Sequence, residues 1–364
     1  MVNSNATDLL WALIGGVIIG LAATLNLLLY GRITGNSSIF NTIIRVRFQD
    51  GLKWKYSFFA GLIAVSSIIY HSTDKGRWEN SSFTITFFDP INVAIRNLHI
   101  AGWIIGGLLV GLGTKIGNGC TSGHGVWGIP RLSPRSIVAV WVFMGCAISL
   151  ATFRHYVEFL TSTQSFGDDF EDAWPIAGGV LAIIVNSVYA CCMIYSWIKA
   201  NNKSEFLEMP LSWLMGALFG FGLVLSGMWR RTKINNFLTI YEDWDPSLML
   251  VMAGAVGVNI FTFQLIIRKQ KTPIYGEKLC LPKKKNLDFR LILGASLFGL
   301  GWGLSGLWPG PGMVNFFNMT HCLIFIPCCA IGHYSVDTFE YYQKRKEQNK
   351  TKNSSFINDS QEAK

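Results

Sequence analysis

Runs of mainly apolar residues recur along the chain near 9–30, 52–71, 98–117, 135–153, 174–198, 211–229, 247–267, 290–307 and 317–336. Each is roughly 17–25 residues long, the length an α-helix needs to cross the hydrocarbon of a bilayer. The pattern predicts about nine spans joined by polar loops, and hence an all-α polytopic membrane protein. Ser133-Pro134, Trp174-Pro175 and Asp245-Pro246 place a proline at or near the start of three spans, where its missing N–H costs nothing.

The apolar pattern also repeats. The stretch from Gly216 to Trp229 aligns with that from Gly294 to Trp308 once one residue is inserted, and both continue to Asn-Phe, at Asn236-Phe237 and Asn315-Phe316. Weaker copies start at Gly15 and Gly106, each followed by a polar, glycine-containing break. The copies fall on the first, third, sixth and eighth spans, so the first pair and the second pair run in opposite directions. Two inverted repeats with short broken or re-entrant segments are therefore expected, an arrangement that places a substrate site near the bilayer midplane in many transporters. The predicted organisation is an N-terminal tail at 1–8, a first transmembrane half at 9–198, a second at 199–336 and a polar tail at 337–364. The part of that tail after Tyr342 is expected to be disordered.

Composition agrees with lipid as the solvent: half of the 364 residues are apolar, 15% are charged, and mean hydropathy is +0.34. The net charge of +9 does not point to nucleic acid, because no basic stretch is interleaved with exposed aromatics. It sits instead in loops at Arg32, Arg45, Arg47, Lys53 and Lys55, at Arg131 and Arg135, and from Arg268 to Lys285, while Asp168, Asp169, Glu171 and Asp172 make another loop acidic. The excess of Lys and Arg on one side predicts a multi-pass protein, in the plasma membrane, with its N-terminus outside and its C-terminus cytoplasmic. The sequons at Asn5 and Asn80 would then face outward, whereas Asn36 and Asn202 would not, so sequons decide little. Leu9 to Tyr30 lacks a basic leader and is too long for a cleavable signal core, so it is read as a span that stays.

Chemistry concentrates in the break after the third span, Gly117-Asn118-Gly119-Cys120-Thr121-Ser122-Gly123-His124-Gly125. Glycines let backbone approach a ligand closely, successive N–H groups can cradle an anion, and Thr121 and Ser122 add hydroxyls. Cys120 offers a polarizable sulfur, and His124 can donate to an oxyanion or carry a proton. The competing reading makes Cys120 a small residue in a tight turn and lets His124 satisfy a loop carbonyl. Cys146, Cys191, Cys192, Cys322, Cys328 and Cys329 lie in apolar runs and read as packing; Cys280 completes the eight, and no spacing suggests metal or disulfides. Lys115 and Asn26, polar groups within spans, are functional candidates by position.

Gly119-Cys120-Thr121-Ser122-Gly123-His124-Gly125 resembles the signature of the YeeE/YedE sulfur-transport family. Leu225 to Met228, Lys233 to Leu238, Asp243 to Leu248 and Gly301 to Pro311 resemble its companion motifs, in a patchy match over residues 10–335. The resemblance implies transport of thiosulfate or a related small sulfur-containing anion along an hourglass-shaped path, with short helices inside the membrane. Cys120 occupies the family's central cysteine position. Trp308 stands where the family usually has another cysteine, and none precedes residue 120, so a single-thiol site, or a pore that works by hydrogen bonds alone, is expected in place of a three-thiol relay.

The expected substrate site is Gly119, Cys120, Thr121, Ser122, Gly123, His124, Ser226, Gly227, Ser305 and Gly306, with no catalytic residue, metal or cofactor. Expected partners are the anion, the lipid bilayer and, as a candidate, a cytoplasmic sulfur-acceptor protein. A relay protein or enzyme carrying persulfide on Cys120, and a non-transporting scaffold, are the alternatives. No G-x-x-x-x-G-K-[ST] run is present to hold a nucleotide.

Overall fold

A computed structural model describes residues 6–46, 51–73, 77–80, 83–86, 98–157, 159–160, 168–199, 203–241, 244–270, 272–276, 278–282 and 286–362. Among these, helices α1 (Ala6–Tyr30), α2 (Asn36–Ile44) and α3 (Lys53–Ser72) are followed by a small antiparallel hairpin of β1 (Arg77–Asn80) and β2 (Phe83–Thr86). Next come α4 (Ile100–Ile116), a π-helical segment (Thr121–Gly128), α5 (Pro134–Tyr156) and α6 (Asp168–Ile198). The remainder is α7 (Lys203–Leu225), α8 (Arg231–Leu238), α9 (Ser247–Thr262, continued as a π-helix over Phe263–Ile267), α10 (Phe289–Ser305), α11 (Pro309–Asn315) and α12 (Cys322–Glu362).

A helix lies at each of the nine expected spans. Among the described residues seven are long and apolar enough to cross a membrane, and α4 with the π-helical segment, bent by 46°, makes an eighth if the pair is one broken span. The helix at 53–72 does not qualify, because Lys53, Lys55 and a set of serines lower its hydropathy. Ser57, Ser66 and Ser67 are buried against neighbouring helices, so α3 does not need to be apolar all round. Pro134 opens α5 and Pro246 caps α9, as expected; Pro175 instead lies inside α6, which starts at Asp168. The tail after Tyr342, expected to be disordered, continues α12 to Glu362, because its Lys, Glu and Gln residues are good helix formers. The Asn5 and Asn202 sequons lie outside the described residues.

The four sequence copies become four similar units: a long helix, a break, a short helix and another long helix. They are α1-α2-α3, α4-π-α5, α7-α8-α9 and α10-α11-α12. Each break turns on one left-handed residue, Gly31, Asn118, Gly227 and Gly306 in order, with φ of 69°, 58°, 67° and 71°. Glycine and asparagine tolerate this conformation best, and it lets the chain reverse into the short helix.

The units pair across the chain. One row of helices packs as α3, α7, α1, α9, and a second as α12, α4, α10, α5, with α6 against α3. Gly15 on α1 abuts Ser226 at the end of α7, while Arg32 after α1 bonds Glu208 near the start of α7, so these helices are antiparallel. Gly106 and Gly113 on α4 abut Ser305 and Phe298 of the last unit in the same antiparallel sense. Lipid gives helices no hydrophobic reason to associate, so close backbone packing through glycine holds the rows together.

Candidate functional site

The second break builds the site. After left-handed Asn118, Gly119 N–H donates to Thr114 O at 3.0 Å, and Cys120 follows as an extended residue ahead of the π-helical segment. Such segments distort a helix and recur at functional sites. Asn259 of α9 donates to Val126 O at 2.8 Å and pins the segment to the other row of helices.

Cys120 is fully buried, and its Sγ lies 3.2 Å from Ser122 Oγ. The same oxygen accepts the backbone N–H of Asn36, the first residue of α2, at 3.1 Å. With a lone pair taken by that N–H, the Ser122 hydroxyl hydrogen is available to Sγ, where it would stabilise negative charge. The first turn of α2 also carries the partial positive charge of a helix N-terminus. Asn36 reaches further, since its side chain packs where a Cβ on Gly310 would lie, and its Oδ1 is buried without a hydrogen-bond partner. Thr121 is buried beside this group.

Gly119 and Gly123 form the rim between this turn and a cavity of about 200 Å³. His124 lines the cavity, with Nδ1 3.2 Å from Ser136 Oγ and Nε2 without a partner. Arg131 and Arg135 supply its charge. Arg135 donates to Asp288 at 2.8 Å and to Asn286 O at 2.6 Å, and Arg131 donates to Pro282 O at 3.1 Å. Burial lowers the pKa of Arg131, a guanidinium that stays charged regardless.

The structure gathers Gly119 through His124 into one turn and treats the other expected residues differently. Ser226 Oγ donates to Leu223 O at 3.1 Å and accepts from Met228 N–H at 3.3 Å. Ser305 Oγ likewise donates to Gly301 O at 2.8 Å and accepts from Leu307 N–H at 3.3 Å. Both hydroxyls thus shape their own turns, around left-handed Gly227 and Gly306, and among the described residues no hydrogen bond joins them to the Cys120 turn. Trp308 is buried edge-on to Trp302 at 5.6 Å. Lys115 pairs with Asp337 at 2.8 Å, and Asn26 donates to Thr34 at 2.9 Å. Of the other cysteines, Cys322 and Cys329 are fully buried, and Cys191 and Cys192 are exposed on α6.

Asn36, Arg131, Arg135 and Ser136 were not among the residues the sequence singled out for the site. Asn36 lies in the break after the first copy, the one available signal for it, whereas the two arginines register in the sequence only as loop charge.

Broken, inverted helices meeting at buried polar turns define a polytopic membrane protein of transporter-like architecture. A family described as "Family of unknown function (DUF6691)" matches residues 207–350. Among similar proteins, one from Xylella fastidiosa (strain Temecula1) named "Probable transporter" is 37% identical over 128 residues, which cover 35% of this chain and 86% of that protein. Another of the same name and strain is 37% identical over 148 residues, covering 39% of this chain and 93% of that protein. A counterpart in strain 9a5c is 37% identical over 128 residues, covering 35% of this chain and 87% of that protein. The chain belongs to the family of these probable transporters.

Proposed function

We propose that the protein carries a small sulfur-containing anion such as thiosulfate across the membrane, through the turn that holds Cys120. The observation that carries this reading is the chain of contacts from Asn36 N–H through Ser122 Oγ to Cys120 Sγ, whose sequence neighbours Gly35, Ser37, Gly119 and Gly123 line a cavity that also holds two arginines. A doubly charged oxyanion would meet cationic walls first, then N–H and hydroxyl donors, then a sulfur able to contact its own sulfur. The names of the relatives support transport, and the resemblance of residues 119–125 to the YeeE/YedE signature supports sulfur. Relatives almost wholly matched by about a third of this chain fit an architecture of repeated units.

With the basic loops facing the cytoplasm, the cavity opens inward, the N-terminus lies outside, and the plasma membrane is the site of action. Gly227 and Gly306 form the opposing breaks, with Ser226 and Ser305 fixing their shape. A second reading has a specific support: the buried Cys120 thiol, hydrogen-bonded to Ser122, would shelter a persulfide bound for a cytoplasmic acceptor protein. A stable adduct on Cys120 in mass spectra, without uptake, would favour that relay.

Vesicles reconstituted with the protein should accumulate radiolabelled thiosulfate. Cys120→Ala should cut the initial rate at least tenfold, while Cys191→Ser on the exposed face of α6 should match the parent. Uptake that is equally fast in the Cys120→Ala protein would remove the thiol from the mechanism, and a parent that takes up no thiosulfate would remove the substrate.

A further inference from the structure

We infer that the arginine-lined cavity is itself a binding site for a small tetrahedral oxyanion, a reception site that shares Gly119, Gly123 and His124 with the Cys120 turn but does not use its thiol. It deepens the reading above and rests on it for the identity of the anion.

Three independent features of the cavity converge on such a ligand. The first is room: about 200 Å³ holds several waters, and so an ion of sulfate size. An added Cβ at Gly123 would meet no atom within 4 Å, so the space begins directly at the π-helical backbone. The second is charge. Arg131 and Arg135 both line the cavity, and among the described residues Arg135 faces the carboxylate of Asp288 while Arg131 donates to the neutral carbonyl of Pro282. A guanidinium on the wall of a cleft raises the local concentration of anions there.

The third feature is an unmet donor or acceptor. His124 is more than nine-tenths buried, Ser136 holds its Nδ1, the Gly117 backbone lies within reach of the ring, and Nε2 makes no hydrogen bond of good geometry. Buried polar nitrogens are nearly always satisfied, so the ring keeps capacity for a further partner. Nε2 lies where any side chain on Gly119 would intrude, which explains a glycine at the rim. With Nε2 as the donor tautomer, the ring hydrogen would meet an oxyanion that the guanidinium of Arg131 neutralises. Serine hydroxyls at 37, 38, 133 and 136 add oxygen-compatible groups to a wall that Ile33 and Pro282 complete.

Calorimetric titration of the detergent-purified Cys120→Ser protein with sodium thiosulfate and with sodium sulfate tests this apart from transport. Both salts are expected to bind. Arg131→Gln and Gly123→Leu, the second filling open space without displacing an atom at Cβ, should each weaken binding at least tenfold with little change in melting temperature. Unchanged affinity in both variants would overturn the site, and so would loss of binding on Cys120→Ser alone, which would move the ligand to the thiol turn. Displacement of sulfate by nanodiscs containing phosphatidylglycerol, and not by those of phosphatidylcholine, would assign the cavity to a lipid headgroup and also overturn it. Binding that survives in a protein inactive in uptake would uphold the site while refuting the transport reading.

Discussion

Gly216→Val is expected to leave almost no stably folded protein in detergent. Gly216 on α7 lies against Phe58 O on α3, and Gly61 on α3 lies against Trp213 O on α7, so the two backbones cross with only hydrogen atoms between them. A Cβ at 216 would overlap a carbonyl oxygen within a helix, which has no rotamer by which to step aside. Overpacking a rigid contact costs about 3 kcal/mol or more, against a total stability of only about 5–15 kcal/mol for a typical protein. In lipid no hydrophobic drive compensates, since a separated helix is solvated by acyl chains as well as by its neighbour. Size-exclusion profiles and a thermal melt should show aggregation or a large fall in melting temperature. Gly257→Val, at a glycine whose added Cβ would meet nothing within 4 Å, is the matched control.

The second large effect is expected at Asp288. Its carboxylate accepts from Arg135, whose side chain is only 8% exposed, and also caps α10 by accepting Leu291 N–H at 3.1 Å. Asp288→Ala would remove a helix cap and leave a buried guanidinium without its counter-charge, a combined loss of about 2–4 kcal/mol given the partial exposure of the aspartate. Asp288→Asn keeps the cap and loses only the charge, so it should recover part of the melting temperature. A melt in which Asp288→Ala equals the parent would show that the pair is not held in solution.

Much of this architecture could be read from residues, and the physical reasons differ between elements. The repeat from Gly216 to Trp229 and from Gly294 to Trp308 was legible because close helix packing and left-handed turns both demand glycine at fixed positions. The turn from Gly119 to His124 stood out because glycine, cysteine and hydroxyls are seldom clustered inside apolar runs. Asn36 is harder to see: its contact with Ser122 spans 86 positions, and only its place in the break after the first copy sets it apart from a polar loop residue. Arg135 looked like orientation charge, although the fold of α5 against the segment before α10 buries it beside His124. Ser226 and Ser305 were read as ligands because hydroxyls in a break suit an anion, but a serine next to a left-handed glycine equally suits capping of its own turn. The run at 52–71 forms a helix, α3, but its lysines and serines keep it below the hydropathy of a membrane span, and the burial of Ser57, Ser66 and Ser67 is legible only in the packing. The polar end of α12 shows the converse, since charge and propensity for helix coexist there.

The central claim is that an oxyanion reaches Cys120 through the basic cavity, and the rate of Cys120 alkylation in the folded protein tests it most directly. Mass spectrometry should find the thiol modified slowly by N-ethylmaleimide, and several-fold more slowly again when thiosulfate is added, with sodium chloride of equal ionic strength having no effect. A rate that saturating thiosulfate leaves unchanged would contradict the account.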